Sequence, residues 1–167
     1  MALGYDESLL WPDFPESSPG GELDDGFFGI RIGRLGLLVA VRFYCEVMES
    51  VPVYPMPNCE PWFSGLMNLR GNLVPVFDLH YFLGEAPLEP KKRRLFTIDK
   101  GEKTTAIWID GLPQVQRFSQ SPEQPSSTPP TLAPYVDSVY RQSGQMWFEI
   151  RTTQLFESLG RQVALAT

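Results

Sequence analysis

From Phe27 onward, apolar and polar positions alternate in short runs, each closed by glycine, proline or a charged turn. Alternation with a period of two over so few residues predicts strands, because successive side chains of a strand face opposite ways. The pattern predicts strands over 27–32, 37–41 and 44–53, with a tight turn at Gly33-Arg34. An apolar run over 62–67 meets a turn signal at Arg70-Gly71-Asn72 and returns as a strand over 73–79, so this segment reads as a hairpin. A short helical turn follows, capped by Asp78 and ended by Gly84. A second group of strands is expected over 94–99, 104–109 and 114–118, then 135–140 and 145–150, with a helix-like stretch through Leu155, Phe156 and Leu159 to Gly160.

Two proline-rich segments interrupt this rhythm. Pro52-Val53-Tyr54-Pro55-Met56-Pro57-Asn58 lacks ladder donors at three positions and is expected at an edge or in a connector. Residues 119–134 hold Pro122, Pro125, Pro129, Pro130 and Pro134 among Ser and Thr, which predicts an extended loop with little regular structure. The last unit also echoes the hairpin unit. Pro134-Tyr135-Val136 answers Pro61-Trp62-Phe63, Glu149-Ile150 answers Asp78-Leu79, and Leu155-Phe156 answers Phe82-Leu83. An ordered echo of this kind suggests two pseudo-repeated small barrels, whose closure removes exposed sheet edges.

Composition changes the picture mainly at the start of the chain. The net charge is −6, yet residues 1–26 carry seven acids and no Lys or Arg, which leaves the remainder at +1. Such a segment buries too little apolar surface to fold alone, so 1–26 is expected to be a disordered acidic arm. Within it, Leu9-Leu10-Trp11 and Phe14 are either a short docking motif or scattered tail hydrophobics. The near-neutral body argues against nucleic-acid binding, which needs a basic face. Lys91-Lys92-Arg93-Arg94 is the one basic run and reads as a solvated turn before a strand. No stretch approaches the ~20 apolar residues that span a bilayer, so direct membrane insertion is not expected. With two cysteines and no signal-peptide pattern at the start, the cytoplasm is the expected compartment.

Catalytic chemistry has little to work with. His80 is the only histidine, and a nucleophile at Cys45 or Cys59 would have to be paired with it. One histidine and two cysteines fourteen residues apart do not make a metal site, and no phosphate-binding glycine loop occurs. A cofactor-free, non-enzymatic binding protein is the economical expectation, leaving recognition to exposed strand faces and grooves.

The segment Trp62-Phe63-Ser64-Gly65-Leu66-Met67-Asn68-Leu69-Arg70-Gly71-Asn72-Leu73-Val74-Pro75-Val76-Phe77-Asp78-Leu79 resembles the signature of the CheW-like family of chemosensory coupling proteins. The resemblance covers about residues 27–160, leaving 161–167 as a tail. It implies a mostly β fold of two five-stranded SH3-like barrel subdomains around a shared apolar seam. It also implies an adaptor that joins a CheA-type histidine kinase to the cytoplasmic tip of a methyl-accepting chemoreceptor, at receptor arrays under the inner membrane. Barrel-to-barrel pairing in that family further implies mixed rings with the kinase or rings of the adaptor itself.

By the same resemblance, Asn68, Leu69, Arg70 and Gly71 match the family motif as protein-binding residues, with Arg70 the coupling residue. Glu46 and Val47, in Cys45-Glu46-Val47, resemble the element placed near the kinase contact. Other readings stay open: Arg70 caps its turn or pairs with Asp78, Glu46 is an exposed strand charge, and Val47, Val74 and Val76 are core. Asp137 stands where the family commonly has glycine, and Asp110-Gly111-Leu112-Pro113 where a strand commonly continues. Pro-Met-Pro-Asn and Trp-Phe-Ser-Gly-Leu resemble adaptors linked to type IV pilus systems. The alternative to receptor–kinase coupling is a divergent CheW-like module that binds a different protein.

Overall fold

Most segments where alternation is backed by β-branched or aromatic residues form strand. The computed structural model describes residues 26–49, 51–125 and 127–166, so the acidic arm, apart from Gly26, lies outside the described residues. In chain order the elements are β1 (Phe27–Ile32), β2 (Leu35–Ala40), β3 (Cys45–Met48), β4 (Phe63–Leu69), β5 (Asn72–Phe77), α1 (Leu79–Leu83), β6 (Arg94–Ile98), β7 (Thr105–Gln116), β8 (Val136–Gln142), β9 (Gln145–Ile150) and α2 (Thr152–Ala166).

These strands make two five-stranded, SH3-like barrels that share β7. The first runs β3-β6-β7-β5-β4 and the second β7-β1-β2-β9-β8, with β5–β7 and β2–β9 parallel and the rest antiparallel. Two separate strands are expected from the sequence over 104–118, broken at Asp110-Gly111-Leu112-Pro113. The structure corrects this to one 12-residue strand. Its first half pairs with β6 and β5, and its second half pairs with β1 after a register shift opposite Gly29 and Arg31. Gly111, at φ 67°, takes the left-handed conformation in that irregular stretch. A bulge bends a strand and re-aims it, which is how one strand serves both barrels.

Three boundaries also differ. β3 stops at Met48 because the prolines after it cannot donate to a ladder, and only Tyr54 rejoins a sheet, by an isolated bridge to Leu66. The segment 119–134 is tied down more firmly than its composition predicts: Glu123 bridges Val139 and Leu132 is buried. The closing helix runs past Gly160, which faces solvent mid-helix and does not end it.

One apolar core crosses from barrel to barrel. Phe28, Ile30, Leu37 and Val39 of the second barrel pack in the same cluster as Phe63, Phe77, Phe96, Ile98 and Ile107 of the first, with Leu155, Phe156 and Leu159 of α2. The Phe28 and Phe96 rings meet at 6.3 Å, and those of Phe77 and Phe156 at 5.8 Å. Each fully buried side chain of this size contributes about 1.5–3 kcal/mol, so the seam holds the barrels together.

Candidate functional site

The turn between β4 and β5 is made by Arg70 and Gly71, at φ 49° and 87°. Positive φ at both central positions is the type I′ geometry, whose twist matches that of paired strands. Gly71 adopts it without strain, whereas a residue with a Cβ is disfavoured there by roughly 1–2 kcal/mol. Turn chemistry alone would place Asn or Gly at position 70. The arginine that stands there instead is held by its contact with Glu46 across the barrel. Asn68 pins the turn, its Oδ1 accepting from the Gly71 amide at 3.1 Å.

The Arg70 guanidinium turns toward β3. Its Nη1 and Nη2 donate to Glu46 Oε1 and Oε2 at 2.8 and 2.9 Å. The hydrogen bond from Arg70 holds the Glu46 carboxyl below its ordinary pKa, against the opposing effect of partial burial. β3 and β4 are the two edges of the first barrel's sheet, so the pair clasps those edges at one end. With Arg70 about two-thirds exposed, the pair contributes little to stability, on the order of 0.5 kcal/mol; its effect is to fix a planar cation at the tip.

The structure thus brings Arg70, Asn68, Gly71 and Glu46 together from distant parts of the chain. Leu69 and Val47 are half-buried and pack against core clusters, so they position the tip and β3 from beneath. The pairing of Arg70 with Asp78 does not occur. Asp78 instead caps α1, accepting from the Tyr81 amide at 3.1 Å, and accepts from Arg93 at 3.2 Å. Arg93 lies over the Trp108 ring at 5.1 Å and Arg94 opens β6, half-buried and 3.4 Å from Glu49, so the solvated-turn reading of the basic run holds for Lys91 and Lys92 but not for Arg93 or Arg94. Val74 and Val76 are core.

Three exposed apolar residues on the first barrel, one at the tip and two on the strap along β4, were not singled out by the sequence. Leu73 is 70% exposed beside Arg70, and Tyr54 and Met56 of the proline-rich strap are 64% and 41% exposed. The alternation along β5 carried the signal: Val74 and Val76 point inward, which sends Leu73 and Pro75 outward.

Two grooves adjoin the clasp. One of about 450 Å³ is walled by Glu46, Leu69 and Arg70 with Tyr44, Lys100 and Thr104. The other, about 550 Å³, runs between the barrels along Phe28, Val41, Phe43, Tyr44 and Cys45, with Arg42, Asp99 and Lys100 at its rim. Arg42 and Lys100 lie over the Phe43 and Tyr44 rings at 5.1 and 5.0 Å.

Neither candidate nucleophilic arrangement forms around His80. Burial, reinforced by Asp99, pushes the Cys45 thiol up to about 12, the opposite of what an attacking thiolate needs. His80 is buried at the barrel junction, its Nε2 2.7 Å from Asp110 Oδ2. Asp110 also accepts from the Gly33 amide at 2.7 Å and the Leu88 amide at 3.2 Å. Burial opposes the imidazolium, but the Asp78 carboxylate 3.6 Å from its Nδ1 and the hydrogen-bonded Asp110 outweigh it and hold the His80 pKa above its ordinary value. This network ties α1 and β7 to the β1–β2 turn, and sequence spacing carries no signal for it. Among the described residues no cluster of three or more His, Cys, Asp or Glu is placed to hold a metal ion. No helix among them is long and apolar enough to cross a membrane.

Two barrels are fused through one strand, with a charged clasp at a hairpin tip, one groove beside the clasp and another between the barrels, so the distinctive chemistry of this β-barrel protein lies on its surface. The chain belongs to the CheW-like domain family, whose model matches residues 27–160. It is similar to Protein PilI of Pseudomonas aeruginosa, 27% identical over 123 residues, covering 71% of this chain and 68% of that protein. It is also similar to chemotaxis protein CheW of Rhizobium meliloti, 24% identical over 139 residues, covering 80% and 88%. The crystal structure of the scaffolding protein TtCheW from Thermoanaerobacter tengcongensis shares the fold, with a TM-score of 0.63 at 19% identity over 76% of this chain and 88% of that one. The family is one of coupling and scaffold proteins without catalytic chemistry of their own.

Proposed function

We propose that this protein is an adaptor that couples chemoreceptors to a CheA-type histidine kinase in a chemosensory array. The observation that carries the reading is the tip itself: Arg70, strained at φ 49° and locked to Glu46, stands beside Leu73 at 70% exposure. A fixed cation next to an exposed apolar side chain has the make-up of an interface centre, where arginine and apolar anchors dominate. The exposed Tyr54 and Met56 extend that surface along the edge of the first barrel, supporting a barrel-to-barrel contact with the kinase's regulatory domain. The groove between the barrels has the apolar walls that suit a receptor's helical tip. Signal then passes as a change in packing, with no covalent step, in the cytoplasm beneath the membrane that holds the receptors. The Pro-Met-Pro-Asn and Trp-Phe-Ser-Gly-Leu elements, with the likeness to PilI, support testing a pilus-linked output beside a flagellar one.

Analytical ultracentrifugation of the purified protein with a CheA-type kinase and a soluble receptor tip tests this. A ternary complex that needs this protein is the expected result. If the protein bound neither component, the divergent-module reading would replace the coupling one.

A further inference from the structure

The groove between the barrels lies where the acidic arm enters the fold. Gly26 is buried, and its carbonyl accepts from the Val41 amide at 3.1 Å, so residues 1–25 join the body opposite the first side chain of the groove wall. The walls are aromatic and aliphatic: Phe28, Val41, Phe43 and Tyr44. Arg42 and Lys100 line the groove beside the carboxylate of Asp99, Glu149 lies within electrostatic reach of Arg42, and Arg117 Nε lies 3.9 Å from where a Cβ on Gly26 would be. Basic side chains thus border the point where the arm joins the body.

The arm offers the complement. It carries seven acids without a Lys or Arg, three of them (Glu22, Asp24 and Asp25) within the last residues before Gly26. Further back it carries Trp11 and Phe14, large apolar side chains of the kind such walls accommodate. An extended chain covers about 3.3–3.6 Å per residue, so the span from Gly26 to Phe14 reaches roughly 40 Å, ample for the adjoining groove. A tethered segment of this length meets its site at an effective concentration of about a millimolar, so weak intrinsic affinity suffices.

We propose that the N-terminal arm docks into this inter-barrel groove, its acids set against Arg42, Lys100 and Arg117 and its Trp11–Phe14 segment against the apolar walls. If the groove is also the receptor site, a consequence resting on the function proposed above, the arm competes with the receptor tip and lowers its apparent affinity.

The test uses the full chain, comparing the native sequence with a Trp11→Ala/Phe14→Ala variant and an Arg42→Glu/Lys100→Glu variant by backbone NMR and amide exchange. Expected is a shift of the resonances of residues 41–45 and 99–100 in the arm variant, with exchange there about tenfold faster than in the native chain, and arm resonances that change in the rim variant. The difference should shrink as salt is raised. Identical groove resonances in native chain and arm variant would overturn the proposal, as would a difference that grows with protein concentration, which would place the arm in a second copy's groove. Competition is read separately: the arm variant binds a receptor-tip peptide several-fold tighter than the native chain. No binding of the peptide to either form, with groove shifts intact, would remove the receptor reading and leave the docked arm standing.

Discussion

The two barrels use one plan and load it differently. Each has a proline-rich strap that bridges the middle of the next hairpin's first strand, Tyr54 to Leu66 in the first barrel and Glu123 to Val139 in the second. Each hairpin has a register irregularity near its start, at Phe63/Gly65 and at Val136/Ser138, and a tip with two left-handed residues, Arg70-Gly71 and Ser143-Gly144. Each is followed by a helix. The backbone is repeated, while the side chains are not: the first tip carries an arginine clasped to Glu46 beside an exposed leucine, and the second carries a serine. Backbone geometry therefore accounts for the fold, and the asymmetry between the tips is where function is to be sought.

Breaking the strap of the first barrel should have the largest effect. A Cβ on Gly65, which sits at φ 132°, would come within 2.1 Å of the Tyr54 carbonyl oxygen. Gly65→Ala should cost about 3 kcal/mol or more in urea unfolding. Ser138→Ala, at the matching place in the second barrel, loses only the hydroxyl that serves Glu149 and should cost no more than about 1.5 kcal/mol. Equal effects would mean that the two closures are not distinguished by this contact.

The junction comes next. Asp110→Ala leaves the buried Gly33 amide, the part-buried Leu88 amide and His80 without their acceptor and should cost about 3 kcal/mol in the same measurement. The junction should also weaken with pH. The His80 pKa is raised on folding, so its contribution is complete below the unfolded value near 6.5 and is lost as pH rises through the higher folded one. Asp78 acts at the other end of the scale. Burial works against its charge, but His80, the Tyr81 amide and Arg93 prevail and bring its pKa to about 2. Its contribution, about 2 kcal/mol at most, is present above the ordinary carboxylate range and is lost as pH falls from near 4 to about 2. Unfolding free energies between pH 6 and 9 should decline in the native chain and decline less in His80→Gln. Parallel curves would remove His80 from the account.

The smallest effect separates the tips most sharply. Arg70→Gly removes a weak exposed ion pair and relieves a left-handed arginine, so stability should stay level or rise by up to about 1 kcal/mol. A loss above 2 kcal/mol would make Arg70 a structural residue.

Much of this was legible in the sequence because it rests on local rules. Alternation located the hairpins, Asp78 and Gly84 bracketed α1 as cap residues do, and the motif around Arg70 pointed to the tip. What escaped depends on contacts between distant positions. The single course of β7 through Asp110-Gly111-Leu112-Pro113 follows from its having partners in both barrels, and a local reading sees only a break. The partner of Arg70 lies 24 residues away across a barrel opening, and that of His80 lies 30 residues away across the junction. The surface proposed for docking was half visible: Asn68 to Gly71 stood out as a motif, whereas Leu73 reads as another strand hydrophobic until Val74 and Val76 are placed facing inward.

Co-sedimentation of the CheA-type kinase with receptor-bearing membranes tests the central claim most directly, using the native chain, Arg70→Ala and Ser143→Ala after each is shown to fold. The account predicts that the native chain and Ser143→Ala recruit the kinase equally, while Arg70→Ala recruits at least tenfold less, a loss of about 1.4 kcal/mol or more. Equal recruitment by all three would contradict the claim that the first tip carries the contact, and no recruitment by the native chain would contradict the coupling role itself.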